Sequence, residues 1–339
     1  MNELWEDVEP RLKAFLARTI YVRGAPAPVA RVGLLPRIYV HALLGEEGRV
    51  ILAEEATAWG KTHSDVVGAA FARTSAREVS LVPIAPDTGA KIFRLAPFEE
   101  SSSMLLAPGF LDSLSARLGG PAVCAIPTGH VLLATNGDDL EQVAGLYELA
   151  RELWLTSDLP LSPVLYVQTP EGFVEPYFAE DEGGPIFDAA SRAERLLEAR
   201  TYDDQKRAFE SMYEEGTPLP IMPDLDVVPL PGAGWTTSTV MMDDREALLP
   251  MAENLFLSFD GPTSPRRMLV PQAALERVAP GCLLVLPDYD PPRQLVVRFP
   301  NAAELEALYE VALLKDEGPL DDAPEGPEPA PGESEGGSG

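Results

Sequence analysis

The chain has 339 residues, 45% of them hydrophobic and 24% charged, and its 54 Asp and Glu against 26 Lys and Arg give a formal net charge of -28. The apolar fraction suits a folding globular chain, and the length points to two domains. The charge argues against docking on nucleic-acid phosphates or anionic membrane lipids, because the densest basic spot, Arg266-Arg267 between Pro265 and Met268, is too short to follow a phosphate backbone.

Leu4, Trp5, Val8, Leu12, Phe15, Leu16 and Ile20 recur at helical spacing and predict an amphipathic N-terminal helix that stops before Arg23-Gly24-Ala25-Pro26. Residues 38–44 and 50–53 read as strands around the turn Gly45-Glu46-Glu47-Gly48. Thr62 or Ser64 then caps a helix through Val66, Val67, Ala70 and Phe71. Strands are expected over 79–84 and 92–95, and a helix over 103–118.

Residues 122–126 and 131–135 form a predicted hairpin, and Asp138 with Glu141 three residues on has the pattern of a capping box for the helix that follows. Another strand pair, 164–168 and 173–177, comes after Pro160. The acidic, Gly-rich stretch from Ala179 to Pro185 marks a boundary, and a polar helix over 189–213 reads as a connector. The proline-interrupted run 218–231 suits extended structure or an edge strand. Residues 316–339 carry no apolar periodicity and read as a disordered acidic tail.

The expected organisation is a mixed α/β (α+β) fold of two related lobes, each a mainly antiparallel sheet covered by helices. Residues 1–180 would hold the N-terminal helix and first domain, 181–217 the linker and connector, and 218–315 a shortened second lobe. The duplication rests on Cys124-Ala-Ile-Pro127, Val131 to Thr135 and Leu146-Tyr-Glu-Leu-Ala150 matching Leu284-Val-Leu-Pro287, Leu295 to Arg298 and Leu308-Tyr-Glu-Val-Ala312. Asn301 with Glu304 repeats the capping-box pattern. Further upstream, 59–74 and 239–256 are both expected to be a polar cap followed by an amphipathic helix.

Ile38-Tyr39-Val40, Trp59, Ala69-Ala70-Phe71, the run Ala125 to Leu133, Leu159-Pro160-Leu161-Ser162-Pro163 and Leu165-Tyr166 together resemble the YtpQ-like bacterial family. The resemblance covers about half the chain and implies a cytoplasmic α/β domain without naming a reaction. His130 stands where the family is expected to carry an acidic residue.

Cys124 and Cys282 sit singly in apolar runs and read as buried thiols. With an acidic N-terminus and no membrane-length apolar stretch, a cytoplasmic location is expected. His41, His63 and His130 lack metal-pair spacing, and no phosphate loop, dinucleotide fingerprint or Gly-x-Ser-x-Gly elbow occurs. No cofactor, metal or catalytic residue is therefore assigned. Asp224 with Asp226 and Asp288 with Asp290 offer cation-binding oxygens, though solvated turns are the default. Ser101-Ser102-Ser103 suits a helix cap or an anion contact. Trp59 and Trp235 suit either core anchoring or a pocket wall. His130, Trp59, Trp235, Asp288 and Asp290 remain as candidates for a ligand or partner site. The expected function is a non-catalytic interaction or adaptor module whose partner is another protein, with a basic surface as one option; a small-molecule-binding regulator and an enzyme using carboxylate or metal-assisted chemistry are the alternatives.

Overall fold

The computed structural model describes residues 4–18, 31–35, 38–84, 91–96, 101–178, 184–213, 217–230, 234–242, 247–260 and 265–316. These residues form a mixed α+β fold with mainly antiparallel sheets. The acidic stretch at 179–183 and the tail from 317 onwards lie outside the described residues.

The first departure from expectation is the N-terminal helix. Among the described residues 4–18 only Trp5–Val8 (α1) is α-helical, a 3-10 turn follows at Glu9–Arg11, and Leu12–Arg18 is a strand, β1; Ile20 lies outside the described residues. Pro10 sits in the 3-10 turn, where its missing N–H prevents a continuous helical ladder. Leu12 and Leu16 lie four apart, which satisfies a helical period and a strand period alike. Burial of Leu12, Ala14 and Leu16 shows that the strand period prevails. β2 (Arg31–Leu35), β3 (Ile38–Leu44) and β4 (Arg49–Val50) complete this sheet, with β3 between β1 and β2 and β4 also paired to β3. The expected strand over 50–53 is cut short by α2 (Ala53–Ala58), whose first turn is held by Glu55 accepting from the Leu52 amide. α3 (His63–Ser75) starts at the expected Thr62 cap, where Thr62 and Asp65 exchange side chain to backbone bonds of 3.1 and 2.9 Å.

The next sheet has six strands. β5 (Ser80–Ile84) and β6 (Ile92–Ala96) precede a 3-10 turn at Ser101–Leu106 and α4 (Phe110–Leu118). Gly109, at φ 70°, separates the last two, so the helix expected over 103–118 is split. β7 (Ala122–Thr128), β8 (Val131–Asn136), α5 (Leu140–Thr156), β9 (Leu165–Gln168) and β10 (Val174–Pro176) follow, giving the order β10-β9-β7-β8-β6-β5. The cap of α5 is Asp139, not Asp138: its carboxylate accepts from the Glu141 and Gln142 amides, while the Asp138 amide turns back to Asn136.

α6 (Pro185–Glu210) begins with proline in its first turn, where no intrahelical donor is lost. It is more than a connector, because Ile186, Ala190, Ala193 and Leu197 join the first core, while Tyr202 and Phe209 join two small clusters in the second half. That second half comprises β11 (Asp226–Leu230), β12 (Gly234–Met241), β13 (Leu248–Pro250), β14 (Asn254–Asp260), β15 (Pro265–Pro271), α7 (Gln272–Val278), β16 (Leu283–Leu286), β17 (Arg293–Val296), α8 (Ala302–Glu310) and β18 (Leu314–Asp316). Five strands order as β11-β12-β14-β15-β18 and three as β13-β17-β16. β11 is an edge strand, as suits its Pro229. β18 places Leu314, Lys315 and Asp316 against β15.

The helix expected over 239–256 is absent, and β12, β13 and β14 occupy the region instead. The Thr-rich run 236–239 favours a pleated strand, and Leu255 and Leu257 are buried on alternate positions of β14. This removes one half of the proposed duplication. The hairpin-helix order does recur, but β7–β8 lies inside a six-stranded sheet with α5 packed on it, whereas β16 ends a three-stranded sheet and α8 packs mainly on α7 and β15.

Candidate functional site

The five candidate residues do not converge. His130 is exposed on the β7–β8 turn with its ring 5.5 Å from that of Phe15. Trp59 packs against Trp5 with ring centres 5.6 Å apart and planes tilted by 53°, and Lys61 lies over the same Trp5 ring, a brace for the N-terminal segment. Trp235, on β12, is covered by the Arg192 guanidinium at 4.1 Å. Asp288 is exposed in the β16–β17 turn, and Asp290 in the same turn accepts from the Tyr39 hydroxyl at 3.4 Å. Only Asp288 and Asp290 share a neighbourhood.

Ser101, Ser102 and Ser103 are buried and cap no α-helix. The Ser101 and Ser102 hydroxyls donate to the His130 and Gly129 carbonyls, so they fasten the 3-10 turn to the β7–β8 turn. Asp224 pairs with Lys206 at 2.8 Å. Among the described residues no group of three or more His, Cys, Asp and Glu side chains could hold a metal ion, and no helix is long and apolar enough to cross a membrane. Burial pushes the Cys124 thiol up to about 12, which keeps it protonated and unreactive at neutral pH.

The more informative geometry lies on the strands beside Asp288. Arg293, at the start of β17, is 0% exposed. Its Nη1 donates to the Leu248 carbonyl at 2.9 Å, its Nη2 to the Tyr202 carbonyl at 3.1 Å and its Nε to Gln205 Oε1. Gln205 and the Tyr202 hydroxyl in turn donate to the Pro291 and Pro292 carbonyls at 2.7 and 2.8 Å. Burial brings the guanidinium down to about 10, so it stays charged at neutral pH. Three uncharged oxygens do the work of a counter-ion, and together they lock β17 to α6 and β13. Nothing in the local sequence announces this role, since Arg293 reads as one polar residue at the end of a proline-rich turn.

β16 contrasts with its anchored neighbour. Leu283 packs beside one core and Leu286 beside the cluster of Phe209, Met222, Leu248 and Tyr289. Leu284 and Val285 are 53% and 47% exposed, on opposite faces of the strand. Among the described residues no strand pairs with its outer edge.

Two depressions flank α6. One, of about 280 Å³, includes Phe15, Arg18, Gly129, Asp158, Arg200 and Asp204. There Arg18 meets Asp204 at 2.6 Å and Arg200 lies 3.2 Å from the other oxygen of Asp204. Burial lowers the affinity of Arg18 for its proton and raises that of Asp204, as expected when both charges leave water; the pair ties β1 to α6. The other, of about 220 Å³, runs between α5, α6 and the start of β12 and is walled by Tyr147, Arg151, Arg192 and Trp235. Gly129, the neighbour of His130, lines the first depression, His130 itself does not, and Trp235 lines the second. Arg18, Arg151 and Arg192 escaped sequence reasoning because each is an ordinary surface-type residue in its own segment.

Comparison of the chain with protein-family models, with curated proteins and with solved structures returns no match.

Proposed function

We propose that this protein is a cytoplasmic, non-catalytic interaction module whose β16 edge receives an extended segment of a basic partner protein. The observation that carries the reading is an uncharged edge strand, Leu283–Leu286, with two half-exposed apolar side chains, held on a neighbour that Arg293 fixes in place. Natural edge strands are ordinarily blunted by charge, proline or a bulge, because their open hydrogen-bonding groups recruit other strands. β16 carries none of these within its four residues. Addition of a partner strand would supply main-chain hydrogen bonds, with Leu284 and Val285 taking side-chain contacts on either face. The net charge of -28 steers such a surface toward cationic sequences. The resemblance of the first half to the YtpQ-like family belongs to this proposal and adds no reaction to it.

The test compares the wild-type chain with a Leu284→Lys/Val285→Lys variant. A basic protein captured by the wild type from source cells is purified and its complex reconstituted. The expected result is protection of the β16 amides from hydrogen exchange in the complex, affinity that falls with added salt, and loss of binding in the variant at unchanged melting temperature. Equal binding by the folded variant would sink the reading.

A further inference from the structure

α6 carries five cations, and four of them pair with carboxylates: Arg195 with Glu253, Arg200 with Asp203 and Asp204, Lys206 with Asp224, and Arg207 with Asp203. Arg192 is the exception, although acidic residues outnumber basic ones two to one in this chain. Among the described residues it forms no ion pair; its guanidinium lies over the Trp235 ring, and its Nε is buried without a hydrogen-bond partner. Arg151, from α5, borders the same groove and also has no ion pair among the described residues. Two like charges thus face one depression, and neither is joined to a carboxylate by an ion pair among the described residues. Burial and the charge of Arg151 both lower the proton affinity of Arg192.

A purely structural cation on Trp235 would explain the stacking, since a guanidinium over an indole face is attracted by the ring quadrupole. It would explain neither the second arginine nor the unmet Nε donor, whose lost hydration nothing in the protein replaces. Glu148 and Asp188 also border the groove, but neither comes within ion-pair distance of the two arginines. The Asp188 carboxylate lies beside Gly234, at the start of β12.

We infer that the groove between α5 and α6 is a binding site for a small organic oxyanion, a carboxylate or phosphate held between Arg151 and Arg192 with its body against Trp235. At about 220 Å³ the groove is below the range of about 300–1,000 Å³ common for drug-sized ligands, which sets the ligand as small. The inference stands independently of the edge-strand reading.

Trp235 supplies the readout. The indole N–H signals of the full-length chain are followed by NMR during titration with benzoate and, separately, phenyl phosphate, and Trp235→Phe assigns the signal. A saturable movement of the Trp235 signal is expected, with Trp5, Trp59 and Trp154 unmoved; the tighter probe distinguishes a carboxylate from a phosphate site. Arg151→Gln and Arg192→Gln should each weaken binding by about tenfold, the loss of one charge-assisted hydrogen bond. The inference fails if neither probe moves the signal at up to about 10 mM. It also fails if a folded Arg151→Gln/Arg192→Gln double variant binds as the wild type does. A third variant, Glu180→Gln/Asp181→Asn/Glu182→Gln, asks whether the chain's own acidic stretch is the anion: movement of the Trp235 signal on that substitution alone, with no response of the wild type to either probe, overturns the small-ligand site.

Discussion

The hairpins β7–β8 and β16–β17 share a sequence pattern, a proline at the turn and a capped helix afterwards, yet they meet different fates. β7 has neighbours on both sides and is buried from Ala122 to Pro127, with α5 on its face. β16 ends its sheet, and two of its four residues are half exposed. The first hairpin is held by apolar burial, the second by a buried arginine that grips three backbone and side-chain oxygens. Similar local patterns therefore leave open which forces stabilise the finished unit, because those forces come from segments distant in sequence.

The sharpest way to break this comparison is Arg293→Met. It leaves the Leu248 and Tyr202 carbonyls and Gln205 without their donor, and a loss of about 3–5 kcal/mol is expected from several unmet buried groups. Urea unfolding measures it, and a loss below 1 kcal/mol would show that the network is incidental. Matched truncations come next. Ile126→Ala in β7 should cost about 2–4 kcal/mol, since its side chain is fully buried. Leu284→Ala in β16 should stay within about 0.5 kcal/mol, as for other exposed sites. Equal costs in the same unfolding assay would erase the distinction between a buried and an open hairpin.

Helix caps should behave alike in the two units. Asp139→Ala and Asn301→Ala each remove a side-chain acceptor for two amides, and each should cost about 1 kcal/mol by thermal unfolding. A large difference would mean that tertiary packing reaches the caps as well.

The smallest effect concerns pH. Burial pushes the Glu253 carboxyl up, but hydrogen bonds from the Thr236 hydroxyl, Arg195 and the Thr237 amide outweigh it and hold the group below its ordinary value of 4.5. The unfolded chain then binds the proton more readily, so this carboxylate's stabilisation is present above pH 4.5 and fades as pH falls through the lower folded-state value. Glu253 is 49% exposed, which keeps the effect modest. The stability gap between wild type and Glu253→Gln should narrow on acidification from pH 6 to pH 3, and a gap that stays constant would contradict the assignment.

The expectations that held were those decided within a few residues. Thr62 with Asp65 and Asn301 with Glu304 form their capping boxes, and Gly45 and Gly48 take positive φ in the predicted turn. The strands expected over 92–95, 122–126 and 131–135 lie within β6, β7 and β8. Where one set of residues satisfies two periods, as Leu12 and Leu16 do, only the available partner chooses: β3 offers seven residues of pairing and draws 12–18 into a strand. Likewise 239–256, expected to be a capped helix, holds strands instead, because β11, β17 and β15 arrive to pair with β12, β13 and β14.

The candidate sites follow the same division. Trp235 was legible as a core anchor or a pocket wall, but its groove needed α5 and α6 to bring Arg151 and Arg192 together. Composition alone determined the mixed globular character and the strong negative field, since both are sums over residues that need no neighbours. Which strand stays open, which arginine is buried and where a cavity forms were decided by tertiary structure, because each is a property of segments that meet only after the chain has folded.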